Sequence, residues 1–89
     1  ILTPRFSGNL QLMLVKIESG GGSDREGYSH KGEEAGYVIE GTIDLTIDKK
    51  TYNLKMGDSF KFESSKKHTF YNSGKERTII LWANTPAIF

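Results

Sequence analysis

Apolar and polar residues alternate with a period of two along most of this chain, and that period is the signature of β-strands. The clearest stretch runs from Thr42 to Asp48. Thr42, Asp44, Thr46 and Asp48 take one side, and Ile43, Leu45 and Ile47 take the other. After a turn at Asp48-Lys49-Lys50 the pattern resumes at Tyr52 and Leu54, and after Met56-Gly57-Asp58 it resumes at Phe60 and Phe62. The run from Leu10 to Ile17 is apolar at most positions, which predicts a strand covered on both faces. A last strand is predicted from Thr78 to Ala83, ahead of Pro86. Turn-forming residues separate these runs at Gly20-Gly21-Gly22, Glu40-Gly41, Gly57-Asp58 and Asn72-Ser73-Gly74. No window carries a helical period. The pattern therefore predicts an all-β domain of about seven or eight short strands, arranged as a barrel or jelly roll that hides its sheet edges.

Composition narrows the function classes. A chain of 89 residues supports one core and one domain, here 1–89. An apolar share of 36% with 11% aromatics is that of a globular chain. Twelve Lys plus Arg against eleven Asp plus Glu leave a formal charge of +1, without the basic excess of a nucleic-acid binder. The lack of cysteine excludes disulfides and thiolate metal sites and fits a cytoplasmic protein. No apolar stretch approaches the length of a membrane-spanning helix or a signal peptide. The chain opens at Ile1 rather than at a methionine and reads as part of something longer.

Several local signals carry little chemistry. Gly20-Gly21-Gly22 is followed by neither Gly-Lys-Ser/Thr nor a helix, so it is a turn and not a phosphate loop. Ser59, Ser64 and Ser65 lack the strand-turn-helix setting of a nucleophilic serine. Lys66-Lys67 is a solvated turn or a pair that draws an anionic ligand toward a barrel mouth.

The two histidines are more informative. Glu34 follows His30 by four residues, and such positions share a face in an extended strand, with Glu33 turned outward. Tyr28 has the same parity. If the segment around His68 pairs with this one, His30, Glu34 and His68 converge inside the barrel. Two imidazoles and one carboxylate leave open positions on a metal for water, substrate or oxygen, as in non-haem iron sites, and zinc, manganese and nickel accept the same donors. The competing reading is two surface histidines near glutamates. Tyr37, Phe62, Phe70 and Trp82 are expected to form core and cavity lining, with room for one modest ligand.

The surroundings of these residues resemble a known family. GSDREGYSHKGEEAGYVIEG, from Gly22 to Gly41, and GDSFKFESSKKHTFYN, from Gly57 to Asn72, look like the two sequence motifs of the cupin superfamily. The first motif spaces a glycine, His-x-His, a glutamate and a closing glycine. Gly22, Glu34 and Gly41 fall at those spacings, and His30 takes the second histidine position. Gly57, His68 and Asn72 match the second motif. Two positions depart from the pattern: Tyr28 stands where the first histidine is usual, and Glu63-Ser64-Ser65 replaces a proline-x-glycine turn. The resemblance implies a small cupin barrel with His30, Glu34 and His68 as metal ligands, if a metal binds. Tyr28 then serves as a weaker ligand, a hydrogen-bond donor or a plug.

HKGEEAGYVIEG, YNLKMGDSFKF and the ending LWANTPAIF, with Thr85, Pro86 and Phe89, are similar to one cupin group. It comprises the C-terminal domains of bacterial helix-turn-helix (XRE-type) transcription regulators. That likeness implies a domain sensing a small-molecule effector, working as a homodimer, with DNA bound through an upstream helix-turn-helix half. A fosfomycin-forming epoxidase, an iron enzyme, shares the arrangement and a triad matching His30, Glu34 and His68. It implies the alternative of a metal-dependent oxygenase, epoxidase or isomerase. A metal-free scaffold or storage barrel is the third reading.

Overall fold

The computed structural model describes residues 10–23 and 32–85, and all its regular structure is strand. Seven strands are found among the described residues: β1 Gln11–Ile17, β2 Glu33–Glu40, β3 Thr42–Ile47, β4 Lys50–Lys55, β5 Ser59–Glu63, β6 His68–Tyr71 and β7 Thr78–Thr85. They form two antiparallel sheets, ordered β1-β7-β2-β5 and β4-β3-β6, as a jelly roll does. The Thr42–Asp48 alternation is realised: Ile43 and Leu45 are buried, with Leu54 and Ile47 packed against the core.

The four-stranded sheet has an equally regular inner face. On β7, Thr78, Ile80, Trp82 and Asn84 are buried, and the residues between them are half-buried. Their register partners are Ile17, Val15, Met13 and Gln11 on β1, and Val38, Gly36 and Glu34 face Ile80, Trp82 and Asn84 from β2. Ile17, Val38, Ile43, Leu45, Phe62, Ile80 and Trp82 make the core between the sheets. The first strand departs from expectation. Its inner face is covered, but Leu14 on its outer face remains 44% exposed among the described residues. Tyr37, expected in the cavity, belongs to that same outer face and is 47% exposed. The reason is parity: Tyr37 lies between Gly36 and Val38, which point inward, and it pairs with Leu81 and Ser59.

Polar side chains fix the corners. The chain passes from β2 to β3 at Gly41, whose φ of 84° and close approach to the Arg77 carbonyl exclude a side chain. The Thr78 hydroxyl accepts from Thr42 N and donates to Thr42 O, tying β3 to β7. Asn72 is wholly buried between two loops. Its amide donates to Ile17 O at 2.9 Å and Glu76 O at 2.8 Å, and its Oδ1 accepts from Gly74 N at 3.0 Å. Its backbone exchanges hydrogen bonds with Gly20 and Gly21. Gly22 completes this corner, because a Cβ there would lie 2.2 Å from Phe70 O.

Replacing Asn72 by alanine strands one buried and two part-buried backbone groups; at about 1–3 kcal/mol for a buried unsatisfied group and less for the others, a loss of about 2 kcal/mol or more is expected. Urea denaturation measures it. A loss below about 1 kcal/mol would show that the corner does not depend on this side chain.

Candidate functional site

Strand β2 sets the site through its alternation. Glu33 is exposed and Glu34 is only 3% exposed, as parity requires. Glu34 sits on the interior face, paired with Asn84 of β7 and Phe62 of β5. Across the sandwich, His68 opens β6 opposite Ile47 and is wholly buried. The two come together: His68 Nε2 lies 3.0 Å from Glu34 Oε2.

The other atoms of the pair are held firmly. Trp82 Nε1 donates to Glu34 Oε1 at 2.8 Å, so β7 orients the carboxylate. His68 Nδ1 lies 2.7 Å from Lys66 O; a carbonyl only accepts, so Nδ1 carries a proton. The other ring nitrogen, Nε2, is the one that faces Glu34 across the sandwich. The contact is at ion-pair distance but outside hydrogen-bond geometry. An imidazole whose far N–H is pinned by a backbone carbonyl is the usual preparation of a metal-binding histidine. The donor set therefore fits a divalent metal as two of its ligands.

Tyr28 and His30 lie outside the described residues, and among the described residues no third His, Cys, Asp or Glu joins the pair. The parity argument that linked positions 28, 30 and 34 stops at Gly32. That glycine has a φ of 138°, and the strand begins after it.

Aromatic rings wall the site. Phe62 is tilted against the His68 ring at 4.8 Å between centroids, and Phe70 lies 5.2 Å from Trp82. Phe60, which sequence reasoning left in the alternation without a role here, stacks on Phe62 and meets Trp82 edge-on at 4.9 Å. Its ring fills the space that a Cβ on Gly36 would take, 2.2 Å from Cζ. A glycine inside a strand pattern was the available signal for that close approach. Gln11, Asn84 and Ser64 are further buried polar residues beside the expected ones. The Ser64 amide donates to Gly32 O at 2.8 Å, joining the replaced proline-x-glycine turn to the entry of β2.

With this geometry in view, comparison with known proteins identifies the family. Residues 13–84 match the cupin domain model. The helix-turn-helix type transcriptional regulator PuuR of Escherichia coli is 35% identical over 77 residues, covering 86% of this chain and 42% of the regulator. The chain thus spans less than half the length of that curated relative. Among solved structures, the cupin domain of an XRE family transcriptional regulator from Enterobacter cloacae superposes with a TM-score of 0.78 at 18% identity, over 90% of this chain and 84% of that one. A sugar phosphate isomerase of the cupin superfamily from Silicibacter pomeroyi gives a TM-score of 0.77 at 24% identity, over 90% of this chain and 52% of the enzyme. At those identities the two structures speak for the fold alone. Two packed antiparallel sheets, a Glu-His pair buried between them and a family match across nearly the whole described chain lead to one conclusion: the chain belongs to the cupin family.

Proposed function

We propose that this chain is the effector-sensing domain of a cytoplasmic helix-turn-helix transcription regulator, with the small molecule bound between the sheets beside Glu34, His68 and Trp82. The observation that carries this reading is the 35% identity to PuuR over 86% of the chain. The formal charge of +1 gives this domain no basic surplus of its own, so DNA belongs to a separate helix-turn-helix half. The buried Glu34–His68 pair supports a small ligand, because ionisable groups taken out of water are kept where they bind something or hold each other. Among the described residues no helix is long and apolar enough to cross a membrane. A signal reaches DNA only if the effector binds one arrangement of the regulator better than another.

A second copy is the other partner in this reading. The outer face of the four-stranded sheet carries Leu14, Leu81 and Tyr37 in one register row, with Leu12 and Ile79 beside it. Leu14 and Tyr37 are each more than 40% exposed, an apolar surface that a homodimer would cover. A metal-dependent enzyme with His30, Glu34 and His68 as ligands remains the second reading, favoured by the carbonyl-pinned His68 ring. A divalent ion there would supply Lewis acidity and open coordination positions.

Zinc or manganese titrated into the purified chain should bind, and His68→Ala should abolish the binding. Trp82→Phe, which removes the hydrogen bond orienting Glu34, should weaken it about 10–100-fold. Calorimetry reads both; retained affinity in His68→Ala would remove the pair from any metal site. In sedimentation, the chain should run as a dimer at tens of micromolar and Leu14→Asp as a monomer. A wild-type monomer of 10.0 kDa would overturn the dimer.

A further inference from the structure

Asn84 is a buried polar residue whose side-chain oxygen has no structural job. Asn84 is 4% exposed, and its Oδ1 has no hydrogen-bond partner among the described residues. Parity fixes its direction, since it follows Trp82 by two residues on β7 and so faces the interior. The register places it between Gln11 of β1 and Glu34 of β2, both buried and on the same face. Most asparagines are at the surface, and a buried amide acceptor with nothing to accept is costly enough to call for a reason. Asn72 shows the contrast within this chain, with both ends of its amide in use.

We propose that Asn84 is a ligand-reading residue: its Oδ1 accepts a hydrogen bond from a hydroxyl or N–H of a small polar molecule seated between the sheets next to Glu34. This inference rests on the interior effector site proposed above and names the chemistry that the site selects. The carboxylate and the amide oxygen together make this end of the interior rich in acceptors, and Trp82, the donor at its centre, is already engaged with Glu34. A molecule that brings donors satisfies such a site. One that brings only ether or carbonyl oxygens leaves Asn84 Oδ1 unpaired and binds more weakly.

The test uses two small probes of matched skeleton, ethylene glycol and 1,2-dimethoxyethane, titrated into labelled protein while the side-chain amide of Asn84 and the indole N–H of Trp82 are followed by NMR. Glycol should move both resonances saturably and the diether should not. In Asn84→Leu the glycol response at Trp82 should weaken about tenfold. The same variant, freed of an unsatisfied acceptor and measured without ligand, should melt several degrees higher than wild type. Equal responses to the two probes, a Trp82 response unchanged in Asn84→Leu, or a lower melting temperature for that variant would overturn the role of Asn84 while leaving the interior site standing. No response at Trp82 to either probe would remove the interior site itself. If Asn84→Leu does not fold, the discrimination between the two probes by the wild-type chain decides.

Discussion

A carboxylate buried between two sheets has to be held by its neighbours, and much of this molecule is organised around Glu34. Trp82 donates to one oxygen from the neighbouring strand, and His68 meets the other oxygen from the opposite sheet. The contact joins β2 and β7 of one sheet to β6 of the other. It fixes how the two faces meet at one end of the sandwich. The aromatic rings around it follow from the same demand, since Phe60, Phe62 and Phe70 pack on the two side chains, Trp82 and His68, that hold Glu34. Toward the other end, Thr78 and Asn72 join the strands through hydrogen bonds to backbone groups. Between these polar ends lies an apolar middle of Ile17, Val38, Ile43 and Ile80.

The two ends differ in how completely their polar groups are used. Asn72 and Thr78 are satisfied by the protein, which makes them architecture. Near Glu34, the Oδ1 of Asn84 and the hydroxyl of Ser64 are buried and have no partner among the described residues. A folded chain of this size has only a small net stability to draw on, so unused acceptors are tolerated where something other than folding selects them.

Much of this was legible in the sequence, because strand alternation is a strict code where one face is buried. Ile43 and Leu45 went inside, and Glu33 and Glu34 separated to opposite faces, as their parity demands. The turn glycines marked real corners at Gly41 and Gly57, both at positive φ. Two kinds of residue escaped. Tyr37 is expected with the other aromatic residues in the cavity lining, although its parity relative to Glu34 puts it outside. Gln11 and Asn84 were passed over because polarity suggests the surface, and only the three-dimensional register reveals their shared buried row. Whether His30 completes the pair of Glu34 and His68 was beyond alternation, since the period of two ends where the chain turns at Gly32.

The close fit of Phe60 over Gly36 has a consequence for how sequences of this fold can drift. A methyl group at position 36 needs the space that the ring occupies, and the ring is wedged between Phe62 and Trp82. Shrinking residue 60 first would leave a hole beside Trp82, and enlarging residue 36 first would drive the ring out of its contact. Each single step is therefore harmful, while the double exchange is far milder. The two positions should behave as one inherited unit. A library that varies them independently would recover glycine with phenylalanine, or a larger residue with a smaller one, and seldom the mixed pairs.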